Sequence, residues 1–265
     1  MDRREAELRL GQLRQELQRH NRLYYVQAAP EIGDQAYDAL YRELLAVEGT
    51  FPDLVTPDSP SQRVGAEPLT AFQAQPHAVP MLSLDNTYDD DELRRFHDYV
   101  LRGLGASEPA YIIEPKVDGV SISLRYEDGI LVQALTRGNG VQGDEVTANV
   151  RTIPSVPLRL DTDSPPAVFE ARGEVFMSKE GFSSLNAHRL ASGEAEFANA
   201  RNATAGTLKQ LDSRAVAQRP LEIVCYAEGE VRGVEIHSQT ELLAALRCFG
   251  FRTQPWSPQV RGLEA

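Results

Sequence analysis

Past Gly119 the apolar residues of this chain stop recurring at helical spacing and begin to alternate. Val120, Ile122, Leu124 and Tyr126 interleave with Ser121, Ser123 and Arg125, the pattern of a strand with one buried face. Asp128-Gly129 then supplies a hairpin turn into a second strand from Ile130 to Thr136. Further strands are expected at Val168 to Met177 and Leu221 to Ala227. Upstream the period is helical. Leu10, Leu13, Leu17 and Tyr24 share one spacing, so residues 4–26 read as one amphipathic helix, broken by Ala29-Pro30-Glu31-Ile32-Gly33. A second helix starts near Asp34 as its N-cap, with Leu40, Leu44 and Val47 as its stripe. The run from Phe51 to Pro68, rich in Pro, Asp, Ser and Thr, reads as an ordered connector. A third helix covers residues 90–104, with Leu93, Phe96 and Val100 on one side, and others are expected at Lys179 to Leu190, Gly206 to Leu211 and Gln239 to Cys248. The fold class is therefore α+β: a small helical unit over residues 1–70, then a unit over 71–265 dominated by antiparallel pairing.

Composition narrows the chemistry. The 265 residues carry a net charge of -12, which argues against electrostatic coating of nucleic acid without a local basic patch. No stretch approaches the length of a transmembrane helix. The charged N-terminus has no signal-peptide core, and Cys225 and Cys248 make neither a disulfide framework nor a four-ligand zinc site. The expected setting is cytoplasmic, with no membrane partner.

Lys116 stands out in the run Tyr111-Ile112-Ile113-Glu114-Pro115-Lys116-Val117-Asp118-Gly119. A lysine fixed at a strand end, flanked by two carboxylates, can be held partly desolvated, which lowers its pKa and frees the amine as a nucleophile. Thr136-Arg137-Gly138-Asn139-Gly140-Val141-Gln142-Gly143-Asp144 makes a backbone-exposed loop that could approach a phosphate or ribose, or serve as a plain turn. Glu170, Arg172 and Glu174 sit in an otherwise apolar strand, where alternation sends Arg172 and Glu174 to one face. That face is either a ribose-binding surface or a solvated one with a minor ion pair. The run Phe197 to Asp212 mixes small residues and amides with Arg201 and Lys209, which could neutralise phosphate. Near the N-terminus, Asp34 and Asp38 lie one helical turn apart with Tyr37 beside them, and Tyr24-Tyr25 precede them. Such a group could hold a flat cationic ring, or be ordinary packing and capping. The five histidines form no ligand spacing, and no Walker-type or dinucleotide glycine motif is present.

Taken together these segments resemble the N-terminal part of bacterial NAD+-dependent DNA ligases, over essentially the whole chain and in the family's order. The resemblance is carried by Ala29 to Asp38, Thr56 to Gly65, His77 to Asn86, and the Lys116, Arg137, Glu174 and Arg201 segments. It implies a nicotinamide-mononucleotide-binding helical domain followed by a nucleotidyltransferase domain with antiparallel sheets. Lys116 would take AMP from NAD+, pass it to the 5′-phosphate of a nick, and allow the 3′-hydroxyl to seal the strand, with Mg2+ as the metal. Asp118 would orient the nucleophile and its surroundings. Glu114 would contact adenine and Glu174 the ribose, with Arg137 near ribose and phosphate. Ser83 and Leu84 would line the nucleotide site. Tyr24, Asp34, Tyr37 and Asp38 would hold the nicotinamide mononucleotide half, and Arg201 and Lys209 would meet phosphate or DNA.

The chain departs from the family's pattern at Pro115, Val117, Ala200 and Lys209, and in a larger way at its end. The expected second lysine motifs, OB-fold, four-cysteine zinc module, helix-hairpin-helix repeats and BRCT domain do not appear. Ala265 reads as lying in a helix that leads to missing strands. A fragment is therefore expected, a monomer, with nicked double-stranded DNA as the partner of the full-length protein and weak DNA binding of its own. It would be unable to complete sealing. The competing readings are a non-catalytic NAD+ or AMP binding module and a lysine enzyme that works through a Schiff base.

Overall fold

Helical and alternating patterning occupy separate parts of the computed structural model, which describes residues 1–27, 29–63, 70–105 and 109–263. Helix α1 spans Arg3–Asn21 and α2 spans Asp34–Thr50. Asp2 and Glu5 close a capping box at the start of α1, each side chain accepting the other's backbone N–H at 2.9 Å. Leu10, Leu13 and Leu17 bury against Leu44 and Val47 of α2. Burial of each stabilises the pair by roughly 1.5–3 kcal/mol, enough to give this unit a core of its own.

Two local expectations change. The α-helix ends at Asn21 and continues as a π-helical turn over Arg22–Val26. The wider turn rotates the side chains beyond Asn21 around the helix axis, so Tyr24 leaves the apolar stripe and is 54% exposed. Gly33, not Asp34, holds the cap of α2: its backbone is extended, and its carbonyl accepts from Ala36 and Tyr37. Asp34 is the first helical residue, where an acid still favours the helix dipole, and its side chain lies outside the described residues. Two 3-10 turns, Pro52–Leu54 and Pro60–Arg63, order the connector. Its last residues, and the position expected to precede the domain boundary, fall within 64–69, outside the described residues.

The larger unit runs β1 (Ala74–Pro76), α3 (Asp90–Leu104), β2 (Ala110–Ile112), β3 (Val120–Glu127), β4 (Ile130–Thr136), β5 (Gln142–Asp144) and α4 (Thr147–Val150). It continues through β6 (Val168–Met177), α5 (Lys179–Ala191), α6 (Ala200–Leu208), α7 (Ser213–Ala217), β7 (Leu221–Arg232), α8 (Gln239–Cys248) and β8 (Gln259–Arg261). An antiparallel sheet of order β4-β3-β6-β7 is its frame, with the short pairs β1-β5 and β2-β8 beside it. This is an α+β fold with antiparallel sheets. Asp128 and Gly129 take φ of 46° and 81° at the β3-β4 hairpin, the positive pair such a two-residue turn requires.

Alternation divides the sheet into two faces. Ile122, Leu124 and Tyr126 of β3 and Phe169, Ala171 and Val175 of β6 bury against α5, α6 and α8. Ser121, Ser123, Glu170, Arg172 and Glu174 occupy the opposite face, where the candidate site is built.

Three further elements differ from expectation. Helix α6 begins at Ala200, not Gly206, because Asn199 caps it by accepting from the Asn202 N–H at 2.7 Å. The stretch before the C-terminus, read as helix, contains β8, which pairs with β2; Ala265 itself lies outside the described residues. Leu93 and Phe96 share a side of α3 as expected, yet both are exposed.

The two cysteines test this packing. Cys225 is fully buried in the sheet core, and burial pushes its thiol far up, whereas Cys248 is exposed at the end of α8. Titration with an aromatic disulfide reagent should find one reactive thiol in the native protein and two in denaturant. Two fast thiols without denaturant would contradict the core described here.

Candidate active site

The loop carrying Lys116 joins β2 to β3 and opens over the polar face of the main sheet. Its geometry is set by Gly119, whose backbone passes against β6. A Cβ on that residue would stand 2.1 Å from the Val175 carbonyl oxygen. The close approach lets the Gly119 N–H donate to Glu174 Oε1 at 3.2 Å. Glu174 is buried and also accepts from the Ser121 hydroxyl at 2.8 Å and the Tyr226 hydroxyl at 3.5 Å. Burial pushes the Tyr226 phenol up, and the Glu174 charge adds to the effect, so the phenol stays protonated and donates. Glu174 thus ties the loop, β3 and β7 together.

The other expected residues close around this point. Asp118 receives Arg201 Nη1 at 2.7 Å, an exposed pair that holds the start of α6 beside the loop. Arg137 donates its backbone N–H to Ser121 and its Nη1 to Ser83 Oγ at 3.3 Å. Glu114 takes a hydrogen bond from Gln239 Nε2 at 2.8 Å through one carboxylate oxygen, while its Oε1 is buried without a partner. An unsatisfied buried carboxylate oxygen is costly, and this one is free to accept a further N–H. Lys209 pairs with Asp144 at 2.7 Å and fastens the end of α6 to β5.

One expectation is corrected. Lys116 is exposed rather than partly desolvated, and its ammonium has no hydrogen bond or ion pair among the described residues. Pro115 and Asp118 beside it are exposed as well, whereas Gly119 at the end of the loop is buried. Two carbonyls of the glycine loop after β4 accept from the neighbouring chain: the His77 backbone N–H donates to Val141 and that of Met81 to Gly140. Arg172, read beside a solvated alternative, is mostly buried against Glu170 and donates to the carbonyls of Val79 and Pro80. That clamp carries the strap on which Ser83 and Leu84 stand. Leu84 is 77% exposed, with its apolar surface open beside Arg137's partner Ser83.

The tyrosine group forms a separate cluster. Tyr24, Tyr25, Tyr37 and Asp38 line a cavity of about 340 Å³ with His20 and Asn21. Tyr24 and Tyr25 meet edge to face at 4.7 Å, and the Tyr37 hydroxyl donates to Asn21 Oδ1 at 2.9 Å. His20 Nδ1 is buried without a partner. Among the described residues, no hydrogen bond or ion pair joins Tyr24, Tyr37 or Asp38 to the Lys116 cluster.

Sequence reasoning missed Gln239, Tyr226, Ser121 and Arg172's clamp in the first cluster, and His20 and Asn21 in the second. Only Ser121 and Arg172 carried a signal, as polar residues on the outward register of strands that were otherwise recognised.

Comparison with known proteins gives these two clusters a common context. Residues 69–265 match the NAD-dependent DNA ligase adenylation domain, and residues 3–65 match the DNA ligase-like N-terminal NAD+-binding domain. The chain is 50% identical to a DNA ligase of Geobacter metallireducens over 99% of its own length and 40% of the relative's. It is 52% identical to a DNA ligase of Rubrobacter xylanophilus over 95% of its length and 37% of the relative's. The chain therefore spans about two fifths of the length of the curated relatives it matches. With the larger unit matched throughout, this chain belongs to the NAD-dependent DNA ligase family.

Proposed function

We propose that this chain carries the NAD+-binding and self-adenylating part of a DNA ligase, with residues 1–70 as the nicotinamide-mononucleotide-binding domain and 71–265 as the adenylation domain. One observation carries the reading: Lys116 stands unpartnered on a loop whose far end is pinned to the buried Glu174 through the Gly119 N–H. A nucleophile needs a free electron pair and a fixed origin, and this arrangement supplies the second while leaving the first unobstructed.

In this reading the Lys116 amine attacks the adenylyl phosphorus of NAD+. A nitrogen–phosphorus bond forms, the bond to the nicotinamide mononucleotide phosphate breaks, and the amine loses a proton to solvent. Glu114 Oε1, buried without a partner, accepts from the adenine amino group. Glu174 holds the ribose, exchanging one of its present donors for a ribose hydroxyl. Arg137 lies over ribose and phosphate, with Ser83 and Leu84 closing the nucleotide side. Asp118 keeps Arg201 at the loop, and Arg201 and Lys209 receive phosphate once their carboxylate partners give way. In the second cluster Tyr24 and Tyr25 offer aromatic faces to the nicotinamide ring, with Asp34, Tyr37 and Asp38 around it. The unpartnered His20 Nδ1 fits an acceptor for the carboxamide.

Mg2+ belongs to this reading as a cation carried on phosphate. Among the described residues no three His, Cys, Asp or Glu side chains gather into a metal cage. Mg2+ is commonly held by one or two carboxylates, substrate phosphates and water, which suits that donor set. It would supply charge neutralisation at the transferring phosphoryl group. Nicked duplex DNA is the acceptor in the whole protein. The -12 charge gives this part little grip on DNA of its own. Among the described residues no helix is long and apolar enough to cross a membrane, and the reading places the protein in the cytoplasm as a monomer.

The test is intact-protein mass after incubation with NAD+ and Mg2+. A gain of one AMP, absent when ATP replaces NAD+, is the expected result. A folded sample that binds NAD+ without gaining mass would reduce this chain to a nucleotide-binding module.

A further inference from the structure

A further cavity lies at neither cluster. It opens between the two units, about 540 Å³ in volume, walled by α1 and the π-helical turn on one side and by Pro154 to Asp161 and Phe249-Gly250 on the other. That size falls in the range of roughly 300–1,000 Å³ typical of small-molecule sites, which favour domain interfaces.

Its charge is unlike the rest of this acidic chain. Arg19, Arg22, Arg63 and Arg159 line it, with Asp161 as the one lining acid among the described residues. Arg19 pairs with Glu31, Arg22 with Asp161, and Arg159 with Asp58 at 2.5 Å. Arg63 has no carboxylate partner among the described residues. Its guanidinium donates to the backbone carbonyls of Arg151, Ile153 and Val156 at 3.1–3.2 Å. Three neutral acceptors orient a buried cation without neutralising it. Burial accordingly pulls the Arg63 guanidinium down, with only nearby tyrosines opposing. One donor on this wall is unmet: Arg22 Nε is buried without a partner. Between the arginines the wall is apolar, formed by Leu23, Val26, Pro157, Leu158 and Phe249.

We infer that this junction cavity is a second ligand site, for a phosphate monoester with a compact apolar body. A tetrahedral dianion accepts from several directions at once, which matches donors arriving from both units better than a planar carboxylate does. The apolar wall takes the remainder of the molecule, because a bare phosphate would fill only a fraction of the space. The chain's overall net charge of -12 disfavours an extended polyanion, which would reach beyond the arginines of the cavity. The π-helical turn is shared between sites: Arg22, Leu23 and Val26 face the junction, while Tyr24 and Tyr25 face the tyrosine cavity. The inference does not depend on adenylyl transfer at Lys116.

Phenyl phosphate is the probe, titrated at constant ionic strength while the unfolding midpoint is followed, beside inorganic phosphate and benzyl alcohol. The expected result is a saturable rise with phenyl phosphate, smaller with phosphate and absent with benzyl alcohol. Arg22→Gln and Arg159→Gln should each weaken the apparent affinity about tenfold, the loss of one charge-assisted contact. Arg94→Gln, on the exposed side of α3, should leave it unchanged. No saturable rise, or one lost in Lys209→Gln but kept in Arg22→Gln, overturns the inference; the latter would place the phosphate at the Lys116 cluster. Should the junction variants fail to fold, amide shifts in the wild-type protein decide. Perturbation centred on Leu23, Val26 and Gly250 supports the site, and perturbation centred on Arg137 overturns it.

Discussion

Lys116→Ala should abolish AMP transfer to the protein completely while leaving its unfolding midpoint within experimental error of the wild type. The two halves of that expectation have different physical origins. Stability is indifferent because the side chain is exposed and makes no hydrogen bond or ion pair among the described residues, so its removal is a surface change worth less than about 0.5 kcal/mol. Labelling is lost because a covalent step has no partial substitute for its nucleophile. Lys116→Arg should fail equally: a guanidinium keeps its proton near neutral pH and offers no free electron pair. The chain favours a clean answer, since it holds only three lysines, Lys116, Lys179 and Lys209. Lys209 is held by Asp144 at 2.7 Å, and Lys179 opens α5. Intact mass with NAD+ and Mg2+ reads the outcome. An adduct persisting in Lys116→Ala would move the nucleophile to one of the other two, and the assignment of the loop would fail with it.

Legibility in the sequence depends on which interactions are local. The alternation after Gly119, the Asp128-Gly129 turn and the stripe of Leu10, Leu13 and Leu17 are near-neighbour patterns, and each element appears where its pattern lies. Helix α6 was placed late because its start depends on one cap, Asn199, inside a run of alanine and threonine with little periodicity. The π-helical turn after Asn21 was invisible for a related reason: one extra residue per turn leaves no compositional mark. At the candidate site, Lys116, Asp118 and Glu174 were found through their strand context. Arg201 was found through its own segment, but its pairing with Asp118 across 83 residues was not, nor was Gln239 as the partner of Glu114 across 125. Such pairings are properties of the closed sheet and the helices packed on it. The exposure of Lys116 belongs to the same class, since a loop's height above a sheet is fixed by what the loop rests on.

That support is one glycine wide, and it makes the strongest structural expectation. Gly119→Ala should destabilise the larger unit by about 3 kcal/mol and slow AMP transfer in whatever fraction remains folded. The added Cβ would meet the Val175 carbonyl oxygen at 2.1 Å and the Glu174 Cγ at 3.1 Å. The first is backbone of a strand paired on both sides, with β3 and β7, so it cannot step aside without breaking register. The loop must lift instead. Lifting removes the Gly119 N–H from Glu174 and moves Lys116 with it, so the same methyl group acts on stability and on chemistry. Gly11→Ala is the matching control. It lies exposed in α1 with nothing within 4 Å of the added Cβ, and helix propensity predicts a gain of about 1 kcal/mol. Urea denaturation of both variants, followed by mass after NAD+, separates the effects. Equal stability of Gly119→Ala and the wild type would show that the loop does not rest on β6. A stable variant that still took AMP at the wild-type rate would also remove Glu174 as the anchor of the nucleophile.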